Sequence, residues 1–151
     1  YDPRGRTRVR VSLMPEARAR LLDVRTSPVA ERIAFAGEVF RAGYELHLNF
    51  SPVVVHEGWE AEWRELFRQI DGQLPEAAKQ GLAAEVIMLT HSAELHGVNL
   101  AWHPRAEELL WQPRWQEEKT SQNGARNLRY RHGVKGRLLQ RFIAILGEEM
   151  P

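Results

Sequence analysis

The sequence predicts an α/β fold in which parallel strands alternate with helices, as a (β/α) barrel of the TIM type or part of one. Hydrophobic residues switch between a period of two and a helical period in the order βαβαβα, which favours parallel strands joined by helical crossovers. The strand candidates are polar at every second position, whereas parallel strands buried on both faces read as continuous apolar runs. We therefore expect helices outside and a polar lumen that can hold a ligand.

Three segments have the period-two pattern of strands: residues 8–13, 44–50 and 83–90. The active site of a barrel lies at the C-terminal ends of its strands. The residues predicted at those ends are Ser12, Asn49 to Ser51, Thr90 and His91. On the second strand, His47 and Asn49 are either lumen groups satisfied within the protein or direct contacts to a ligand, and the sequence leaves both interpretations open.

Helices are predicted between and after these strands. A short helix follows the first strand, and residues 33–40 recur at helical spacing until Gly43. The clearest helix spans residues 59–70, with one apolar face that we expect to pack on the barrel. Two short helices are predicted around residues 92–100 and 104–111. The apolar face of the longest helix comprises Trp59, Trp63, Leu66, Phe67 and Ile70.

From residue 112 the pattern changes. Residues 116–127 are polar with a turn at 121–124, residues 127–133 read as a short exposed strand or hairpin arm, and residues 134–146 form an amphipathic helix. We expect two parts, residues 1–111 as barrel and residues 112–151 as a basic arm with a C-terminal helix.

Charge is segregated along the chain although the net charge is only +1. Residues 26–113 carry 6 basic and 13 acidic side chains, whereas residues 114–141 carry 8 basic and 2 acidic ones. A stretch from Arg126 to Arg141 contains six basic residues and no acid. This end of the molecule is predicted to bind a polyanion.

Several classes of site are disfavoured by composition. The chain has no cysteine, which excludes disulfides and thiolate-held zinc or iron–sulfur centres within these residues. No apolar run could span a membrane, so we expect a cytoplasmic protein with no membrane partner. His91 and His96 are five residues apart and would diverge by about 140° on a helix, so with Glu94 they predict no metal site. A start without Met, on a Pro/Gly/Arg segment, suggests a piece of a longer protein.

Five strings in order resemble the C-terminal half of the spore photoproduct lyase family. They are RVRVS (8–12), TSP (26–28) followed by ERI (31–33), AGY (42–44), SPVVVHEGW (51–59) and RYR (129–131). The strings NLAWHP (99–104) and EELLW (107–111) resemble the branch of the family from bacteria that do not sporulate.

The resemblance implies the C-terminal portion of a partial barrel, a 4Fe-4S cluster on a CxxxCxxC loop, and S-adenosylmethionine (SAM) as radical source. It implies a carbon–carbon lyase for DNA repair that reverses a thymine photoproduct through a 5′-deoxyadenosyl radical. The cluster cysteines of the family belong to the N-terminal half, so we expect this piece alone to be inactive and to contain no catalytic residue or metal ligand. Its partners would be DNA, the missing N-terminal half and a reductant for the cluster.

The resemblance also implies roles for individual residues. Ser12 corresponds to a serine that contacts SAM, and Ser51 occupies a position where the backbone approaches the cofactor and where spore enzymes carry alanine. Asn49, selected by the strand pattern alone, completes the predicted cofactor contacts. The RYR string resembles a hairpin that wedges into DNA, with Arg129 on phosphate and Tyr130 supporting an unstacked base. His132 stands where the spore enzymes carry tryptophan. The predicted DNA contacts are Arg126, Arg129, Tyr130, Arg131 and Lys135.

Two other functions remain open from the sequence. The chain could be a non-catalytic α/β domain that binds nucleic acid through the same basic arm and uses no cofactor. It could also belong to a radical SAM enzyme that acts on a substrate other than DNA.

Overall fold

The computed structural model describes Pro3 and residues 6–122 and 124–151. The first part of the chain forms β1 (Arg8–Leu13), α1 (Glu16–Leu22), α2 (Val29–Arg41), β2 (Glu45–Val53), α3 (Trp59–Gln73), α4 (Glu76–Gln80) and β3 (Ala83–Met88). The second part forms β4 (Thr90–Ser92), α5 (His96–Trp102), α6 (Pro104–Leu110), β5 (Gln116–Thr120), β6 (Arg126–Tyr130) and α7 (His132–Glu149).

The first three strands form a parallel sheet in the order β1-β2-β3, which confirms the α/β prediction. Helical crossovers connect them because two parallel neighbours cannot be joined by a tight turn. Ser12 lies opposite Asn49, and Asn49 lies opposite Glu85, so polar positions of all three strands share one face. The apolar positions of the same strands share the other face.

Helices α2, α3 and α7 cover the apolar face of this sheet. Four aromatic rings meet there: Phe50 of β2 has its ring centroid 5.8 Å from Trp63 and 5.3 Å from Phe67, and Phe142 of α7 lies 4.8 Å from Trp63. Edge-to-face pairs of this kind add about 0.5–1.5 kcal/mol each beyond the burial of their area. The predicted packing of the Trp59 face on the sheet is confirmed, because all five of its apolar residues are buried.

The third strand is shorter than predicted. β3 ends at Met88, and after Leu89, whose N–H donates to Val53 O at 3.1 Å, the chain enters a second sheet at Thr90. The predicted strand over 83–90 therefore merged β3 of the parallel sheet with the first residue of β4 in the second sheet. Both segments are extended, and the sequence carries no turn signal between them.

The second sheet is antiparallel, in the order β4-β6-β5. Strands β5 and β6 form a hairpin, which confirms the predicted arm, and β5 itself is a strand that the polar pattern of residues 116–127 did not indicate. Its central residues are exposed and charged, so cross-strand pairing stabilises it more than burial does. Asn123 in the predicted turn lies outside the described residues.

The C-terminal helix α7 packs against α3. Its Phe142 and Ile145 are completely buried in the same core as the parallel sheet. Arg141 of α7 also pairs with Glu60 of α3 at 2.6 Å. Among the described residues, no helix is long and apolar enough to cross a membrane.

Candidate functional site: two polar sheet faces

The parallel sheet has a polar face opposite its helix-packed core, and the positions of β1 and β3 on this face are exposed. Arg8 pairs with Glu45 at 2.6 Å across neighbouring strands. Arg10 of β1 approaches Glu85 of β3 at 4.0 Å, across the intervening strand β2. Because these charges are balanced pairs, the face can hold a polar ligand without a large net charge.

Two buried polar atoms on this face have no hydrogen-bond partner in the described part of the chain. They are Nδ1 of His47 and Oδ1 of Asn49, two residues apart on β2 and so on the same side of the sheet. A buried donor or acceptor without a partner costs about 1–3 kcal/mol, and such groups in folded proteins usually mark a place for water or a ligand. The two atoms therefore indicate a binding surface for a molecule that brings its own hydrogen-bonding groups.

Three residues predicted as cofactor contacts lie together at this place. Ser12 is exposed at the end of β1 and is the register partner of Asn49, and Ser51 follows on the same face of β2, half-buried. The Ser12 carbonyl accepts a hydrogen bond from Nη1 of Arg32 at 3.2 Å, which fixes the end of β1. The structure thus brings Ser12, Asn49 and Ser51 together near the C-terminal ends of β1 and β2.

Thr90 and His91 do not join them, because they belong to β4 of the second sheet. This corrects the prediction that the third strand delivers them to the same site. His91 is buried and its Nε2 lies 2.9 Å from Oε1 of Glu107 on α6, and Nδ1 of His96 lies 2.5 Å from the same oxygen. The His96 ring stacks on Trp111 at 3.7 Å between centroids.

Glu107 is the centre of this cluster and is completely buried. Burial raises the pKa of its carboxyl, but hydrogen bonds from His96 and His91 outweigh that effect, so its pKa lies below the ordinary value. The carboxylate thereby ties α5 and α6 to the second sheet. Sequence reasoning missed this cluster because Glu107 lies 11 and 16 residues from its two histidines, and no motif spans that distance.

The predicted basic residues of the hairpin differ in the groups that they contact. Arg129 pairs with Glu117 at 3.0 Å, and Arg126 lies 3.6 Å from Glu118. Arg131 is exposed, and its guanidinium donates to backbone carbonyls, including Gln116 O at 3.0 Å. These pairs are partly exposed, so each holds its arginine weakly and could exchange its carboxylate for a phosphate.

Three further Lys or Arg residues follow on α7, and Lys135 is the one predicted as a DNA contact. Lys135 is exposed near the N-terminal end of the helix, and no ion pair is formed by its side chain within the described part of the chain. It lies at the start of the helix that directly follows β6.

Tyr130 is placed differently from the prediction. Its side chain is only 2% exposed, and its Oη accepts a hydrogen bond from the N–H of Val55 at 2.8 Å. Burial raises the pKa of the phenol, and the Val55 N–H offsets only part of that rise. The expected role as a support for an unstacked base is therefore wrong for this conformation, because the ring faces the core and joins the hairpin to the loop after β2.

A groove of about 840 Å³ runs along the hairpin and β4. Its described lining includes two cations and no carboxylate. The lining residues that could hydrogen-bond to a phosphate are Thr90, Lys119, Thr120, Gln122, Asn127 and Arg129. Lys119 and Asn127 were not singled out from the sequence, and Thr90 was predicted for a different site. Only the register of β4, β5 and β6 places the three on one face.

Comparisons with known proteins agree with one another. The family model described as "Spore photoproduct lyase" matches residues 1–150. A spore photoproduct lyase of Bacillus subtilis (strain 168) is 36% identical over 83 residues, which are 55% of this chain and 24% of that protein. A spore photoproduct lyase of Geobacillus sp. (strain Y412MC61) is 32% identical over the same length and shares.

Solved structures of spore photoproduct lyase extend the likeness to nearly the whole chain. A mutant with bound AdoMet and dinucleoside spore photoproduct superimposes with a TM-score of 0.86 at 26% identity, covering 97% of this chain and 43% of that one. A complex with dinucleoside spore photoproduct gives the same values. The chain therefore spans less than half the length of these relatives. Because the family model matches almost every residue, the chain belongs to the spore photoproduct lyase family.

Proposed function

We propose that this chain is the C-terminal portion of a radical SAM lyase that repairs a thymine photoproduct in DNA, and that its parallel sheet is part of a partial barrel. The observation that carries the proposal is the pair of unpartnered polar atoms of His47 and Asn49 on the open sheet face. A solved lyase with the same fold over 97% of this chain binds AdoMet and dinucleoside spore photoproduct. In this proposal residues 1–111 supply the SAM face and residues 112–151 the DNA-contacting arm.

The residues on the open face fit SAM. Asn49 Oδ1 needs a donor and His47 Nδ1 needs a hydrogen-bonding partner, and SAM carries an amino group, ribose hydroxyls and a carboxylate. Ser12 and Ser51 would bind the cofactor at the strand ends on either side of Asn49. When bound, SAM supplies the radical that starts the lyase reaction. The protein's part is to orient it, and the balanced Arg8–Glu45 pair keeps the face polar.

The residues of this chain do not fit the 4Fe-4S cluster of the family. The cluster requires thiolate ligands, and none of the 151 residues is a cysteine. In the proposed lyase the cluster is held by residues outside this chain, which contributes no ligand to it.

The hairpin is the proposed DNA contact. Arg126, Arg129, Arg131 and Lys135 would bind phosphates, and the two hairpin arginines would exchange Glu118 and Glu117 for the phosphate backbone. Tyr130 acts in this proposal as a positioning residue, because its hydrogen bond to Val55 holds the hairpin next to the loop that follows the SAM face.

The test uses the full-length protein, reconstituted anaerobically with iron and sulfide and reduced with dithionite. We expect it to cleave SAM and to convert dinucleoside spore photoproduct into thymidine, and we expect Ser12→Ala to slow this conversion while Arg41→Ala, at the opposite end of the sheet, leaves it unchanged. Failure to cleave SAM would contradict the proposal. Binding of duplex DNA without SAM cleavage would support a non-catalytic nucleic-acid-binding domain, and SAM cleavage without DNA binding would support another substrate.

A further inference from the structure

A second cavity lies between α1 and α6, away from the hairpin groove, and has a volume of about 530 Å³. Because α1 follows β1 directly, the cavity is on the side of the sheet where β1 ends, which is also the side of Ser12. Three guanidinium groups line it, and Glu108 is the one carboxylate among its described lining residues. The arginines are Arg18, Arg20 and Arg105.

One buried acceptor in this lining, Oε1 of Gln112, lacks a hydrogen-bond partner among the described residues. The guanidinium of Arg18 is paired with Glu62, whose Oε2 lies 3.2 Å from its Nε, so Arg20 and Arg105 are the more exposed cations of the lining. An unpaired acceptor beside these cations indicates a ligand that donates a hydrogen bond and also carries a negative charge.

One lining residue of the cavity, Gln112, is hydrogen-bonded to the base of the hairpin. The N–H of Gln112 donates to Oε1 of Gln116 in β5 at 2.7 Å, and Arg131 donates to Gln116 O and to Pro113 O. The exposed side chain of Arg114 lies over the Trp115 ring at 5.2 Å in the same connection. One exposed cation, Arg114, thus lies in the connection between the cavity and the hairpin.

We infer that the cavity between α1 and α6 is a second phosphate site for the same nucleic acid, and that Arg105 is its main contact. Arg105 is exposed and forms no ion pair in the described part of the chain, so its guanidinium is available. Arg20 is held by Glu16 at 2.8 Å but is largely exposed, and would add a second contact. A phosphodiester supplies the anion, and the sugar and bases beside it supply donors for Gln112. The inference rests on the proposed function, because it extends the DNA path from the hairpin.

The experiment measures binding of fluorescein-labelled duplex DNA to the full-length protein by anisotropy over a range of salt. We expect R105A to weaken binding about fivefold at low salt and to reduce the slope of log affinity against log salt by about one, and R20A/R105A to reduce it by about two. Arg41→Ala is the matched control. Arg41 is an exposed arginine at the end of α2, and its variant should bind as wild type does.

The outcomes separate this inference from the proposed function. If R129A weakens binding but R105A and R20A/R105A match wild type in affinity and slope, the inference is wrong and the hairpin contact stands. The same conclusion follows if R105A lowers the melting temperature and leaves DNA binding unchanged, since Arg105 would then contribute to stability and not to binding. If the wild-type protein binds no duplex DNA, both are wrong. If R105A weakens binding and R129A does not, the cavity is supported without the hairpin.

Discussion

The two sheets of this molecule are held together by different forces. The parallel sheet packs four aromatic rings against its helices, and Phe50, Phe67 and Phe142 are completely buried. The hairpin sheet is joined by its backbone ladder and carries partly exposed charge pairs on its strands, such as Arg129 with Glu117. The first sheet can therefore carry unsatisfied atoms such as Asn49 Oδ1 at a cost that its core outweighs, whereas the second presents cations that can change partners.

This contrast suits the two kinds of ligand that we propose. A small cofactor is bound best by a rigid face whose hydrogen-bonding atoms are already in place. A polyanion is bound through many weak, exposed contacts whose number sets the salt dependence.

Removing a core ring should have the largest effect on stability. We expect Phe142→Ala to lower the free energy of unfolding by about 3–5 kcal/mol, because it leaves a cavity among three other rings. Ile143→Ala, at the exposed neighbouring position on α7, should cost less than about 0.5 kcal/mol. Urea denaturation measures both, and equal losses would show that α7 is not part of the core.

Glu107→Gln should have the next largest effect. We expect it to lower the free energy of unfolding by about 3 kcal/mol near neutral pH, because it replaces a buried carboxylate that two histidines contact. Since the pKa of Glu107 is lowered by folding, its contribution is fully present above the ordinary carboxyl pKa of 4.5 and is lost as the pH falls through its folded value. The difference between wild type and variant should therefore shrink as urea titrations are repeated at decreasing pH. A constant difference would contradict this.

Tyr130→Phe should lower the free energy of unfolding by about 1–2 kcal/mol, because it leaves the buried N–H of Val55 without an acceptor. In amide hydrogen exchange, Val55 should lose protection while residues in α2 keep theirs. If the variant matches wild type in both measurements, Tyr130 does not join the hairpin to the loop after β2.

The smallest stability effects are expected in the hairpin. Arg129→Ala should change the free energy of unfolding by less than about 1 kcal/mol, because its pair with Glu117 is partly exposed. Its affinity for duplex DNA should nevertheless fall. Glu117→Gln should bind duplex DNA more tightly than wild type, since Arg129 no longer exchanges partners, and weaker binding by this variant would argue against Arg129 as a phosphate contact.

The sequence predicted the elements whose stability comes from periodic burial. Alternation at residues 8–13 and 44–50 and the apolar face of residues 59–70 correspond to β1, β2 and α3, because each buries one face. It did not predict β5, whose exposed charges carry no burial period. The end of β3 was also missed, because an extended segment passes from one sheet to the other without a glycine or proline.

The part of the candidate site that lies at the ends of parallel strands could be predicted from the sequence. Ser12, Asn49 and Ser51 lie together because the ends of parallel neighbours lie together. The burial of Tyr130 and the Glu107 cluster depend on contacts between residues far apart in the chain, which neither spacing nor charge could indicate. These contacts exist only once α5, α6 and the hairpin have packed together.

The central claim is that the open face of the parallel sheet binds SAM, and Asn49→Leu tests it most directly. Isothermal titration of SAM into the full-length protein and this variant should show at least about tenfold weaker binding, while the melting temperature stays the same or rises because an unpaired buried acceptor has been removed. Unchanged SAM affinity in a folded Asn49→Leu protein would contradict the account.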